Sequence, residues 1–305
     1  MSGHHDHHHG HDHTPKNFGR TFAIATALNL ALVAGEVFYG LTTNSLALLA
    51  DAGHNFGDAM GLLLAWGAYA IADWRPNTRY TYRMRAASIL AAFANGVLLL
   101  LATLVIAWEA FQRFIDPQPV ATGTVIVVAA VAVVINGVSA WLLSHGSKSD
   151  LNMRGAFLHM VADAAVSVAV IIAAFGIIYT GWHWIDPAVS LLISAVILWG
   201  TWGLLRDSFQ LSLNAAPRSI DPAAVRGYLE GLPGVAAIHD LHIWAVSTTE
   251  IALTCHLVMP KGHPGDDFLL RVAGQLRHKF EIGHPTLQIE TSGSGQCALQ
   301  PDTVL

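Results

Sequence analysis

Six long apolar runs fill the first two thirds of this chain, and they limit what it can fold into more than any other feature. They cover about 18–41, 46–71, 87–112, 121–143, 155–179 and 185–205. At roughly 20 residues or more, each is long enough to cross a hydrocarbon core as a helix. Windows 97–107 and 124–135 are almost purely aliphatic. Of the 305 residues, 53% are hydrophobic and only 12% are charged, about half the charged share of a usual soluble domain. The sequence predicts an all-α membrane domain of six transmembrane helices in a lipid bilayer.

Lysine and arginine orient the spans, because positive residues stay on the cytoplasmic side. None lies between Arg20 and Arg75, or between Arg154 and Arg206. Arg75, Arg79, Arg83 and Arg85 follow the second run, and Lys148 and Arg154 lie between the fourth and fifth. Among the opposite-side loops only Arg113 occurs. Both termini are expected in the cytoplasm. The first run is too long for a secretory signal and lacks a small-residue cleavage site. A net charge of −5 with basic residues spent on topology leaves no nucleic-acid stripe. Cys255 and Cys297 do not suggest a disulfide framework.

Residues 1–16 read as a disordered, His-rich cytoplasmic tail. Its imidazoles, His4, His5, His7, His8, His9, His11 and His13, suit loose, exchangeable capture of divalent transition metals. The membrane domain takes 17–206. A cytoplasmic α+β module, 207–292, follows where hydropathy falls, and 293–305 read as a flexible tail. In the module, Asp221-Pro222 opens a short helix as N-cap and first helical residue. That helix ends near Leu232, before Pro233-Gly234. Two β-type runs, VAAIHDLHIWAV and EIALTCHLVMP, then a helix over about 266–280 and a strand TLQIET, complete an αββαβ order. Such an order makes a small sheet with helices on one face.

Two of the apolar runs carry the same pattern, His-x-x-x-Asp: His54 with Asp58, and His159 with Asp163. Residues four apart share a helix face, so two such helices facing each other offer two imidazoles and two carboxylates. That is a tetrahedral set for a zinc-like ion. Ionisable groups at membrane depth are expensive and mark transport pathways by default. Two carboxylates and two neutral imidazoles neutralise a divalent ion, and imidazole, titrating at about pH 6.5, also takes protons. Metal and protons therefore compete for one site, and alternating access around it lets an inward proton gradient drive metal out. Asp51 lies two turns before Asp58 and reads as helix packing or an exit-path carboxylate. Glu36 reads as cavity lining or structure. Asn29, Asn95 and Asn136 read as interhelical hydrogen bonders, and Asp186-Pro187 as the start of the sixth span.

These residues carry a family resemblance. NSLALLADAGHNFGDAMGLLLAWGA, MRGAFLHMVADAAVSVAVI and IHDLHIWAVS are similar to segments of the cation diffusion facilitator family, zinc-type bacterial efflux branch, over about residues 16–291. The resemblance implies a homodimer in the bacterial plasma membrane, a cytoplasmic domain of ferredoxin-like fold, and proton-coupled export of zinc, with cadmium or cobalt as further cargo. It implies His54, Asp58, His159 and Asp163 as the transport site, with histidine at 54 going with zinc preference. In the tail it places His242, His256 and Glu290 on positions that bind regulatory zinc, while Gln288 stands where some members have histidine. Alternation sets Cys255 and His256 on opposite faces, and His239, His263, His278 and His284 read individually as surface histidines. Asp73 without a neighbouring histidine implies that a further metal site after the second span is absent or weak.

Two other classes compete with an exporter. An intramembrane metalloenzyme needs a general base and an open coordination position, usually in His-Glu-x-x-His; that motif does not occur, and four protein ligands close a zinc site. A membrane-anchored metal sensor or buffer needs one span, not six with buried ligands.

Overall fold

The computed structural model describes residues 18–72, 78–144 and 151–291. Six long helices come first: α1 (Phe18–Thr43), α2 (Leu46–Ala72), α3 (Ala87–Ile115), α4 (Thr122–Ser144), α5 (Leu151–Thr180) and α6 (Ile185–Ser212). Valine-rich α4 is a helix although its residues favour strands, because only a helix satisfies its own backbone in hydrocarbon. Among the described residues four helices are long and apolar enough to cross a membrane: Ala87–Ile115, Thr122–Leu142, Phe157–Thr180 and Ile185–Ser212. The apolar segment Ala27–Thr43 of α1 is shorter.

The chain divides into two compact units, one taking Val105–Ser194 with the residues up to Ala59, the other Met60–Leu104 with the residues from Ala195. In the first unit α4 packs along α5 and α1. Asn44 turns the chain between α1 and α2 with a left-handed φ of 60°, a conformation asparagine tolerates. The two helices diverge from a close approach: a Cβ on Gly40 would lie 2.7 Å from Leu49 Cδ2.

Asp186 does more than open α6. Its carboxylate accepts from Ser45 Oγ at 2.6 Å, from Leu46 N at 2.8 Å and from Ala47 N at 3.4 Å. It thereby caps the first, otherwise unpaired N–H groups of α2. We expect Asp186→Ala to destabilise the protein by about 1–3 kcal/mol, because buried donors lose a charged acceptor. Thermal unfolding of the purified protein in detergent, against the parent, checks this.

In the second unit, α7 (Pro222–Glu230), β1 (Ala237–Ala245), β2 (Ile251–Val258), α8 (Asp266–Phe280) and β3 (Ile282–Glu290) follow the expected order. Asp221 Oδ1 accepts from Ala223 N at 2.9 Å, so the N-cap is as anticipated. The sheet is mixed: β2 is central, antiparallel to β1 and parallel to β3. Alternate residues of β2, Ile251, Leu253, Cys255 and Leu257, join one apolar core with Val225 and Leu229 of α7 and Phe268, Val272 and Leu276 of α8. Strand β3 starts at Ile282, four residues before the expected TLQIET, because parallel pairing with β2 begins at Ile251. In the same unit Arg85 pairs with Glu250, and Ser88 Oγ accepts from Thr248 N at 3.1 Å. The start of α3 is thus tied to the β1–β2 turn.

Candidate metal centres

The four intramembrane residues are brought together by two helices, α2 and α5, within the first unit. His54 and Asp58 stand one turn apart on α2, as do His159 and Asp163 on α5. His54 Nε2 lies 3.3 Å from Asp163 Oδ1 and 3.7 Å from Asp58 Oδ2. His159 Nε2 lies 3.1 Å from Asp58 Oδ2 and 3.6 Å from Asp163 Oδ2. A tetrahedron of ligands about 2.0–2.1 Å from an ion has edges of roughly 3.3–3.4 Å. The observed spacings match it, and one atom from each residue falls within 4.8 Å of the others.

Exposure is graded across this quartet. The side chains of Asp58 and His159 are 34% and 38% exposed, whereas that of Asp163 is 1% exposed. The site is open past Asp58 and His159 and closed past Asp163. His54 Nδ1 is buried without a hydrogen bond among the described residues. Tightly held metals usually have ligating histidines oriented by an outer acceptor, so this imidazole is less restrained than one built to retain an ion.

On the closed side lie more polar groups. Asp51 and Glu36 are completely buried. Ser167 Oγ donates to Asp51 Oδ2 at 2.8 Å, and Asn55 Nδ2 donates to Glu36 Oε2 at 3.2 Å. Of the asparagines, Asn29 Nδ2 donates to Met160 Sδ of α5 at 3.8 Å, an interhelical bond as expected, whereas fully buried Asn136 has no hydrogen bond among the described residues.

The second cluster is in the sheet, and it corrects the reading of two histidines. His239, His256 and Glu290 each place a ligand atom within 4.8 Å of the others. His239 Nε2 lies 3.1 Å from Glu290 Oε2, and His256 Nδ1 lies 2.8 Å from Glu290 Oε1. His239 is therefore no surface histidine; its side chain is 4% exposed, against 39% for His242. The register explains the exchange. His239 pairs directly with His256, but His242 pairs with Thr254, so β1 holds one extra residue between them. That bulge is made by Asp240, with φ 53°. It returns Ile238 and Ile243, five apart, to the same core. His242 Nε2 instead bonds Asp240 Oδ1 at 2.9 Å, and Asp240 Oδ2 lies 3.6 Å from His256 Nε2. His242 thus reaches the cluster only through Asp240.

Cys255 lies in the apolar core, on the face away from His256. Gln288 and the histidines at 263, 278 and 284 are exposed, and His284 makes an edge-on ring contact with Tyr82 at 5.6 Å. The tail histidines His4, His5, His7, His8, His9, His11 and His13, together with Asp73, Arg75, Lys148, Cys297 and the 293–305 tail, lie outside the described residues.

Comparison with known proteins places these features in context. Residues 22–211 match the family model for the cation efflux transmembrane domain, and residues 217–292 match that for the cation efflux protein, cytoplasmic domain. The chain is 38% identical over 284 residues to the zinc transporter ZitB of Pectobacterium atrosepticum, covering 92% of this chain and 88% of that one. It is 35% identical over 287 residues to the cadmium, cobalt and zinc/H(+)-K(+) antiporter of Bacillus subtilis, covering 92% of each. To the metal cation efflux system protein CzcD of Cupriavidus metallidurans it is 38% identical over 283 residues, covering 92% and 89%.

Proposed function

Because the chain belongs to the cation efflux family, whose members are transporters rather than enzymes, we propose that it exports zinc in exchange for protons, with cadmium and cobalt as further cargo. The observation that carries this is the convergence of His54, Asp58, His159 and Asp163 from α2 and α5, with one ligand atom of each within 4.8 Å of the others. Two imidazoles favour zinc over manganese or magnesium, and the names of the relatives agree. Two carboxylates cancel the charge of the cargo, and on its release protons take over the same ligand atoms.

In this reading α1 to α6 all span the bilayer within 17–206. The four long apolar helices and the arginine pattern support that count, with residues 1–16, the 207–292 module and the 293–305 tail in the cytoplasm. The module is ferredoxin-like in its αββαβ order, and its family supports a homodimer. On this topology the exposed side of the quartet, past Asp58 and His159, faces the cytoplasm. Zinc loads there and leaves past Asp163. His239, His256 and Glu290 hold a regulatory zinc, and the histidines of residues 1–16 capture metal loosely.

Transport in proteoliposomes tests the reading. With an acidic exterior imposed on the side that receives metal, we expect zinc flux accompanied by counterflow of protons. Flux should be retained with cadmium and cobalt and be at least about tenfold lower with manganese, which binds imidazole more weakly than zinc does. Zinc flux indifferent to the pH gradient would reject proton exchange, and equal manganese flux would reject the quartet as the selector.

A further inference from the structure

Glu36 and Asp51 are the most deeply buried carboxylates of the first unit, and neither belongs to the quartet. Both are 0% exposed, and among the described residues neither has an ion-pair partner. The sequence offers no lysine or arginine between Arg20 and Arg75 to neutralise them. Asn55, which donates to Glu36 Oε2, follows Asp51 by one turn of α2, so both carboxylates meet the same face of that helix. Each has one oxygen occupied, Asp51 by Ser167 and Glu36 by Asn55. The other oxygen of each, Asp51 Oδ1 and Glu36 Oε1, is buried without a hydrogen bond among the described residues. Leaving a carboxyl oxygen unpaired in such a place is unfavourable. The arrangement is that of a ligand set rather than of helix packing, which would have used both oxygens.

The position is equally telling. Asp51 precedes His54 by three residues, a rise of about 4.5 Å along α2, and lies on the closed side of the quartet. Ser167 joins the two places physically: its hydroxyl donates to Asp51 and also approaches the backbone oxygen of Asp163 at 3.2 Å. Resting on the export reading and its topology, the structure assigns Glu36 and Asp51 to a second, transient station that takes the divalent cation from the quartet on its outward path.

The chemistry suits a place of release. Two carboxylates balance the charge of a divalent ion as the quartet does, so the ion is neutralised at either station. The set offers oxygen only, from Glu36 and Asp51 with the Asn55 and Ser167 side chains alongside. Oxygen holds zinc less firmly than imidazole does. An ion moved there is bound more weakly than at the quartet and is not trapped.

The test uses the full-length protein in proteoliposomes with zinc, comparing the parent with Glu36→Gln, Asp51→Asn and the double variant. Three quantities are read: maximal zinc flux, zinc affinity of the quartet by calorimetry, and protons moved per zinc. We expect flux to fall by roughly ten- to a hundredfold, as for groups one step beyond the primary ligands. Quartet affinity should stay within about threefold of the parent, since no quartet ligand is altered. The proton ratio should be unchanged, and the double variant no slower than the slower single one. Parental flux in the amide variants overturns the proposal. So does flux lost in step with quartet affinity, which would mean a packing role, and so does a changed proton ratio, which would make the pair a proton carrier. If the amides do not yield folded protein, Glu36→Asp, which keeps the charge and shortens its reach, takes their place. Several-fold slower flux is then expected, and parental flux overturns the proposal. Asp163→Ala, run alongside, should lose both binding and flux; if it does not, the export reading itself fails, whatever the pair does.

Discussion

Replacing Asp163 by alanine is expected to abolish zinc/proton exchange and to lower zinc affinity at the quartet by about three orders of magnitude, or ~4 kcal/mol. Three properties of this carboxylate make the effect large. It touches both histidines, at 3.3 and 3.6 Å, so its loss removes one of four ligands and leaves both imidazoles less well held. It supplies half of the negative charge that neutralises the ion. Its side chain is 1% exposed, so water cannot readily stand in for it. Asp163→Asn separates these causes. It keeps the volume and an oxygen ligand but removes the charge, and we expect it to recover a little binding and no exchange. Calorimetric zinc titration and flux in proteoliposomes check both variants. Flux at the parental rate in Asp163→Ala would remove the quartet from the transport path.

The second large effect concerns the sheet cluster. In an Asp163→Ala background, where the quartet is silent, His239→Ala is expected to weaken zinc binding by roughly two orders of magnitude, or ~3 kcal/mol. His242→Ala should weaken it by less than about threefold, because a group acting through a neighbour contributes less than a ligand. His239 faces Glu290 at 3.1 Å within the core, and His242 meets the cluster only by way of Asp240. The two histidines are three residues apart in the same strand, so overall charge and composition change identically in both variants. Only the register distinguishes them. Equal loss in both would mean that the ion sits between His242, Asp240 and His256 instead.

Much of this molecule is legible from local spacing. The helices α1 to α6 begin and end close to the limits of the apolar runs, since a run of hydrocarbon length has only the helix open to it. The quartet was equally legible, because a pair four apart shares a helix face wherever that helix goes. The Asp221 cap and the period-two core face of β2 follow from the same kind of short-range rule. The sheet histidines were not legible. IHDLHIW presents His239 and His242 with nothing in composition to choose between them, and the choice depends on a one-residue bulge set by pairing with β2. Nor did the chain announce the partner of Asp186, which reaches Ser45 across 141 residues.

The sequence by itself determined the long apolar helices, and it set His54 with Asp58 and His159 with Asp163 on shared helix faces. Each of these rests on interactions within a single helix or on the cost of charge in hydrocarbon. Tertiary structure alone decided that His239 rather than His242 joins His256 and Glu290, and that Asn55 meets Glu36 while Ser167 meets Asp51. Strand register and the meeting of distant helices depend on how whole surfaces pack, and a one-residue shift in a strand turns a ligand away from its site.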